Sequence, residues 1–456
     1  MTLQEDKYYL VSLGCAKNTV DSESMAQILH KNGMQGTKDA ANAEILIVNT
    51  CGFIGSAKDE SVAVMRQLAA SKQPNQMLIA AGCLSQRYGD ELVKHIPGLD
   101  GIIGTRRWMD IFDFIKRLRG HKHPEPLYHL PTDAKTVGLD ERGVLRAGVQ
   151  GTSAYLKISD GCRRPCAFCA IPGIKGTIVS RPMESIVAEA VQLQEMGIQE
   201  LILIAQDTTD YGHDLGIKDG LAKLLEAIVS AAPDIPWIRI MYAYPGYVTP
   251  KLMETIAKHD QILSYLDMPL QHGNREVLKR MKRPANIEWV NETVGKLRET
   301  IPNLTVRTTF IVGYPGETDA EFEDLLQFVE SMQFDRVGAF VYSYEEGTPS
   351  ADLADHIPED VKQERYGRLM ELQQQISLSK NQALVGQTLD ILVEGHGVGE
   401  DEDGNELDIM LSMGRSYRDA PEIDGFVIVE GELPVGEIVP VKITGATTYD
   451  LFAMPV

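Results

Sequence analysis

Apolar and polar positions alternate along this chain in strand-and-helix rhythms that change character twice. Up to about Arg119, short apolar runs (Tyr8–Leu13, Glu44–Val48, Met77–Ala81) alternate with helically spaced stretches, Ser22–Asn32 and Ala57–Ala70. Continuous apolar runs of this length suit strands buried on both faces. They predict βαβ units and an open parallel sheet. Residues 120–150 break the pattern: His121, His123 and His129 stand among Pro124, Pro126 and Pro131, with Gly138, Gly143 and Gly148 following. This reads as a linker. Its histidines have no partner at metal-ligand spacing and are expected to be solvent-exposed.

From Gln150 to about Asn381 the alternation resumes at greater length. Strands are predicted over Ala154–Ser159, Glu200–Ala205, Trp237–Tyr242, Tyr265–Met268, Thr305–Val312 and Arg336–Tyr342. Helices are predicted over Met183–Met196, Leu221–Ser230, Asn274–Lys282, Asn286–Thr300 and Thr318–Met332. About six βα units make a partial barrel, with its active face at the carboxyl ends of the strands. A long helical segment, Glu359–Asn381, leads to short strand runs at Thr388–Glu394, Phe426–Glu430 and Ile438–Thr444, a small β-barrel or sandwich. The expected class is α/β, divided as 1–119, a linker at 120–150, 151–382 and 383–456.

Composition narrows the function classes. A chain of 456 residues with 43% hydrophobic and 24% charged residues reads as globular and multidomain. The first residues carry no basic-then-apolar signal and no run approaches a membrane span, so a cytoplasmic protein without membrane contact is expected. A monomer is expected as well, though no residue pattern carries that expectation. The net charge of −21 argues against a chain-wide nucleic-acid surface, and an acidic balance by itself also serves solubility. From Leu384 onward fifteen Asp/Glu face three Lys/Arg (Arg415, Arg418, Lys442). Such an end repels phosphate and attracts a Lys/Arg-rich protein.

The six cysteines carry the chemistry. Cys162, Cys166 and Cys169 form a C-x3-C-x2-C array directly after the first barrel strand. Closely spaced thiolates favour zinc or iron–sulfur. A structural zinc site wants four protein ligands, so three cysteines suggest a cluster with one iron open. Zinc completed from elsewhere, or three separate buried thiols, are the plainer readings. Cys15, Cys51 and Cys83 each follow a strand of the first region. Loops beyond the carboxyl ends of parallel strands gather on one edge, so these three can meet despite their separation. Gly14, Gly52 and Gly82 adjoin them, letting backbone crowd a cofactor. Ordinary buried cysteines at strand ends are the alternative. The other barrel strand ends carry polar residues, and Gln206, Asp207, Arg239, Gln271, His272 and Glu317 are pocket candidates. A helix-capping role competes for Asp207 and Thr318.

The three-cysteine array, with Phe168 before its last member, resembles that of the radical S-adenosylmethionine (SAM) superfamily. Over essentially its full length the chain resembles the radical-SAM methylthiotransferases, which replace an unactivated C–H with C–S–CH3. The resemblance implies a four-iron four-sulfur cluster at Cys162, Cys166 and Cys169 whose open iron chelates SAM. It implies a second such cluster at Cys15, Cys51 and Cys83, and a TRAM β-barrel at the carboxyl end. The cluster at Cys162, Cys166 and Cys169 would pass one electron to SAM and cleave it to methionine and a 5′-deoxyadenosyl radical. That radical would take hydrogen from the substrate carbon, and the second cluster would present a methylated sulfur. A second SAM would serve as methyl donor and a separate protein as electron donor. One family branch (MiaB-like) modifies tRNA adenosine and typically carries Gln-Asn-Val-Asn-Ser-Tyr-Gly after its second barrel strand. The other modifies the β-carbon of an aspartate in the twelfth small-subunit ribosomal protein. Gln206-Asp-Thr-Thr-Asp-Tyr-Gly212 and Asp419-Ala-Pro-Glu-Ile-Asp-Gly425 resemble the latter, and the acidic end agrees because ribosomal proteins are basic. A non-catalytic iron–sulfur scaffold would need neither an open iron nor a polar barrel face.

Overall fold

The computed structural model describes residues 6–133, 142–400 and 406–456. The expectations at the chain start (1–5), at Gly138 and at the acidic residues 401–403 lie outside the described residues.

The first sheet is parallel throughout. It contains β1 (Lys7–Ser12), β2 (Gln35–Gly36), β3 (Ile45–Thr50), β4 (Met77–Gly82), β5 (Gly101–Gly104) and β6 (Leu127–His129), in the spatial order β2-β1-β3-β4-β5-β6. Every residue of β3 is buried. Ile45 and Ile47 pack into one core cluster while Leu46 and Val48 pack into another, which is why the sequence shows an unbroken apolar run. Helices α1 (Ala16–Lys31), α2 (Gly55–Ser71), α3 (Cys83–His95) and α4 (Ile111–Arg119) cover the faces.

The second sheet runs β15-β14-β13-β12-β11-β8-β7. Its strands are β7 (Ala147–Gln150), β8 (Ser153–Lys157), β11 (Glu200–Ile204), β12 (Trp237–Ile240), β13 (Ile262–Asp267), β14 (Thr305–Val312) and β15 (Arg336–Val341). All pairs are parallel except β7 with β8. A separate two-stranded ladder joins β9 (Ser159–Asp160) and β10 (Val179–Ser180). Helices α5 (Ile171–Lys175), α6 (Met183–Glu195), α7 (Gly220–Ala231), α8 (Pro250–Lys258), α9 (Arg275–Arg280), α10 (Ile287–Thr300), α11 (Asp319–Met332) and α12 (Glu359–Gln382) follow the chain between and after the strands. Thr318 closes a capping box with Glu321 at the start of α11, so its role is the cap.

Alternation along the barrel strands decides what lies inside. Leu201, Leu203, Ile238 and Ile240 join the main core with residues of α6, α7 and α10. Tyr155, Ile202, Ile204 and Tyr265 instead cluster with Val20 of α1 and with Leu392 and Ala420 of the last domain. The flanking domains therefore both press on the concave face of the partial barrel.

The stretch expected as a linker is partly built into both sheets: β6 pairs with β5 and β7 with β8. His129 is half-buried and its Nε2 lies 2.8 Å from Asp110 Oδ2, so it is not a solvent-exposed linker residue. The last domain is a closed barrel of β16 (Thr388–Glu400), β17 (Glu406–Ser416), β18 (Val427–Glu430), β19 (Ile438–Ala446) and β20 (Leu451–Pro455), rather than a sandwich. Among the described residues no helix is long and apolar enough to cross a membrane.

Candidate active site

Cys15 is the N-cap of α1, Cys51 follows β3, and Cys83 opens α3. All three therefore stand in the turns that follow β1, β3 and β4, and Cys15 and Cys83 lie at helix N-termini, where free N–H groups point outward. Asn18 ties these turns together, its Nδ2 donating to Leu13 O at 2.9 Å and to Thr50 O at 3.0 Å. The adjoining glycines serve packing between loops more than approach to a cofactor. At Gly14, which has φ +90°, an added Cβ would stand 2.6 Å from the Cys51 Cβ and 2.9 Å from its sulfur.

The second triad hangs from the end of β8. The Cys162 N–H donates to Gly176 O at 3.0 Å and the Ala167 N–H to Met281 O at 2.9 Å. Two arginines inside the loop anchor it to the segment after β11. Arg164 Nε donates to Asp207 at 2.7 Å, and Arg163 to Asp210 through two bonds of 2.7 Å each. The carboxylates of the Gln206–Gly212 segment thus hold the cysteine loop.

Both triads line one cavity of about 460 Å³, together with Lys17, Lys175, Gln206, Tyr242, Gln271 and Arg283. Tyr242 and Gln271 sit there at φ +61° and +77°, unusual for residues with a Cβ and typical of functional sites. Lys17 Nζ lies 3.3 Å from the centre of the Tyr242 ring.

Burial pushes Cys162 up to about 11 and Cys169 up to about 12, with neighbouring thiols adding to the rise. Cys83 is likewise pushed up to about 12 by burial, despite Lys175. Cys15 is the exposed member of its triad; neighbouring protein still opposes its thiolate, but Lys17, the Asn18 N–H and Lys175 hold it below its ordinary value. Thiols gathered this way gain most from a metal group that deprotonates them. Among the described residues no three of the His, Cys, Asp and Glu side chains converge on a single metal ion. Two sets of soft donors spread around one space suit iron–sulfur clusters better than single ions. Gln206 Oε1, buried without a hydrogen-bond partner among the described residues, adds an acceptor for whatever fills the cavity.

The remaining predicted pocket residues separate. Gln206 and Gln271 line the cavity. Asp207 is 3% exposed and taken up by Arg164. Arg239 does not reach the cavity: it is fully buried lower in the barrel, 2.7 Å from Glu200 and bonded to Tyr417 O at 2.9 Å. His272 and Glu317 are also outside. They pair with each other at 3.2 Å, and Glu317 takes Arg365 at 3.2 Å, bracing α12 against the strand-end loops. The reason is shared: a strand-end position does not by itself turn a side chain inward, and a buried charge goes to its nearest counter-charge.

Lys17, Asn18, Arg164, Lys175 and Arg283 were not anticipated. Lys17 and Asn18 follow Cys15 directly and Arg164 lies inside the cysteine array, so proximity could have flagged them. Lys175 and Arg283 carry no local signal.

Three family models match the chain: the radical SAM superfamily over residues 156–329, an uncharacterized protein family (UPF0004) over 7–104, and the TRAM domain over 385–456. Among curated proteins, the ribosomal protein uS12 methylthiotransferase RimO of Chloroflexus aurantiacus is 46% identical, covering 98% of this chain and 99% of that protein. Its namesake from a Thermoanaerobacter species is 45% identical over 97% and 98%. Among solved structures, the radical SAM methyltransferase TsrM from Kitasatospora setae, with cobalamin and a [4Fe-4S] cluster bound, shares the fold. That match has a TM-score of 0.59 at 16% identity, covering 76% of this chain and 77% of that one. With six cysteines around one cavity, a radical-SAM barrel and relatives this similar over nearly the whole length, the chain belongs to the RimO family of radical-SAM methylthiotransferases.

Proposed function

We propose that this protein adds a methylthio group to the β-carbon of an aspartate in ribosomal protein uS12. One cluster would be held by Cys162, Cys166 and Cys169 and a second by Cys15, Cys51 and Cys83. The observation that carries the reading is the opening of both triads onto one cavity. A carbon activated at one triad can then receive sulfur held at the other without leaving the site. When bound, the clusters and SAM supply the radical chemistry, the sulfur and the methyl group.

The chain's own residues bind, orient and exclude water. Asp207 and Asp210 fix the barrel cysteine loop through Arg164 and Arg163. Lys17 and Lys175 place positive charge beside the amino-terminal thiols. Gln206 and Gln271 offer uncharged polar groups for the SAM moiety or the substrate carboxylate. Domain 1–119 carries the sulfur-bearing site, 151–382 the SAM site, and 383–456 the partner surface, with 120–150 between them.

The acidic carboxyl-terminal barrel would meet the basic substrate. Met413, Ile428 and Phe452 are register neighbours across β17, β18 and β20, and Met413 and Phe452 are exposed. An outward apolar row on an acidic domain suits a Lys/Arg-rich protein better than RNA. The reading places the chain in the cytoplasm as a monomer fed by a separate electron-donor protein.

Mass spectrometry of uS12 and of bulk tRNA, with and without this gene, tests it. Loss of one methylthio group from a uS12 aspartate in the deletion strain is expected. Loss of methylthio-adenosine from tRNA with uS12 unchanged would overturn the proposal.

A further inference from the structure

Arg283 comes to the barrel triad from outside its motif. It follows α9 by three residues, its own N–H donates to Leu278 O at 2.8 Å, and the side chain is nearly buried. Nη1 donates to the Cys166 sulfur at 3.6 Å, and Nη2 donates to Pro269 O. The guanidinium lies over the Tyr244 ring, 4.1 Å from its centre. Arg164 occupies the same ring at 4.5 Å and Tyr247 at 3.6 Å, so Tyr244 takes part in a stack that fixes both cations. Met281, two residues earlier, accepts the Ala167 N–H at 2.9 Å, which ties the Arg283 loop to the cysteine loop.

We propose that Arg283 is a positioning residue that holds the Cys166 thiolate and sets the reduction potential of the cluster bound by Cys162, Cys166 and Cys169. The inference rests on the iron–sulfur reading of that triad. Reduction adds one electron, hence one negative charge, to a group bonded to Cys166. A fixed N–H donor and a full positive charge at that sulfur favour the more negative form and raise the potential. The planar fork matters as well as the charge, because one side chain must reach sulfur, carbonyl and ring face together.

The test is an EPR-monitored redox titration of reconstituted protein, with dithionite as reductant. Replacing Cys15, Cys51 and Cys83 by alanine leaves only the barrel cluster contributing. Arg283→Gln is expected to lower the midpoint potential, and Arg283→Lys to lower it less, because charge remains while the fork is lost. An unchanged potential at parental iron content would overturn the proposal. A raised KM for SAM at unchanged potential would also overturn it, assigning Arg283 to the SAM moiety instead. If Arg283→Gln takes up no iron, the Arg283→Lys titration decides. Loss of iron from both would overturn the proposal in favour of a folding role. A parental protein lacking any iron–sulfur signal would refute the cluster assignment itself.

Discussion

Lys157 of β8 donates to Asp21 of α1 at 2.6 Å, joining the amino-terminal sheet to the barrel directly beneath the cysteine cavity. The contact is the centre of a buried cluster. Lys157 also reaches Asp160 at 2.8 Å, Lys175 bridges Asp21 and Asp160 at 3.3 and 3.2 Å, and Arg146 contacts both carboxylates at 3.2 and 3.1 Å. No side chain of the five is more than 2% exposed. Burial opposes ionisation of Asp160, but Lys157, Lys175 and Arg146 override it and hold its carboxyl far below the usual range. The five residues fix α1, which Cys15 caps, against β8 and β9, the strands that lead to Cys162.

Removing one carboxylate from this cluster leaves buried cations short of a partner, which costs about 3–5 kcal/mol. Asp21→Asn is expected to lower the thermal unfolding midpoint clearly. A midpoint equal to that of the unmodified protein would show that the cluster does not hold the two domains together.

Anchoring of the cysteine loop should be graded. Arg164 and Asp207 are 6% and 3% exposed, whereas Arg163 is 31% exposed opposite Asp210. Screening weakens the second pair more than the first. Asp207→Asn should therefore reduce iron bound per chain more than a substitution of Arg163, Arg163→Gln. Iron analysis of both proteins, reconstituted in parallel, checks the order.

Glu200 links the barrel to the carboxyl-terminal domain, 2.7 Å from Arg239 and 2.6 Å from Arg415. Burial alone would raise its carboxyl, but the two guanidinium charges lower it to about 2 from an ordinary 4.5. A folded-state value below the unfolded one means stabilisation present above about pH 4.5 and lost as pH falls towards 2. The shift corresponds to the order of 3 kcal/mol. Glu200→Gln should remove that acid dependence and free the last barrel. Denaturant unfolding at pH 7, 5 and 3 measures it, and an unaltered slope across this window would discount the pair.

Two glycines separate backbone strain from crowding. Gly82 (φ +97°) would place a Cβ 2.6 Å from Thr50 O, while Gly33 (φ +88°) has nothing within 4 Å. Gly33→Ala should cost about 1 kcal/mol from conformation alone. Gly82→Ala should cost several times more and lower iron in a protein carrying only the Cys15, Cys51 and Cys83 triad. Equal effects would mean that the crowding at Gly82 relaxes freely.

The sequence by itself determined the local features. Apolar runs buried on two faces located β3 and β4, and the C-x3-C-x2-C spacing located the barrel triad, because strand burial and short-loop ligation are written in adjacent residues. Cys15, Cys51 and Cys83 could also be placed on one edge, since the carboxyl ends of parallel strands share it. The interior of the molecule was less legible. His272 and Glu317 follow barrel strands as expected and Arg239 lies within β12, yet their side chains are taken up by each other, by Arg365 and by Glu200. Which buried ion finds which counter-ion depends on distances between segments far apart in the chain. The same holds for Lys175 and Arg283, which reach the two triads only because α5 and the loop after α9 fold onto them. The tertiary structure alone set both triads on one cavity. Burial of α1 against the concave sheet face, through Val20, brings them there, a packing between domains that no local pattern encodes.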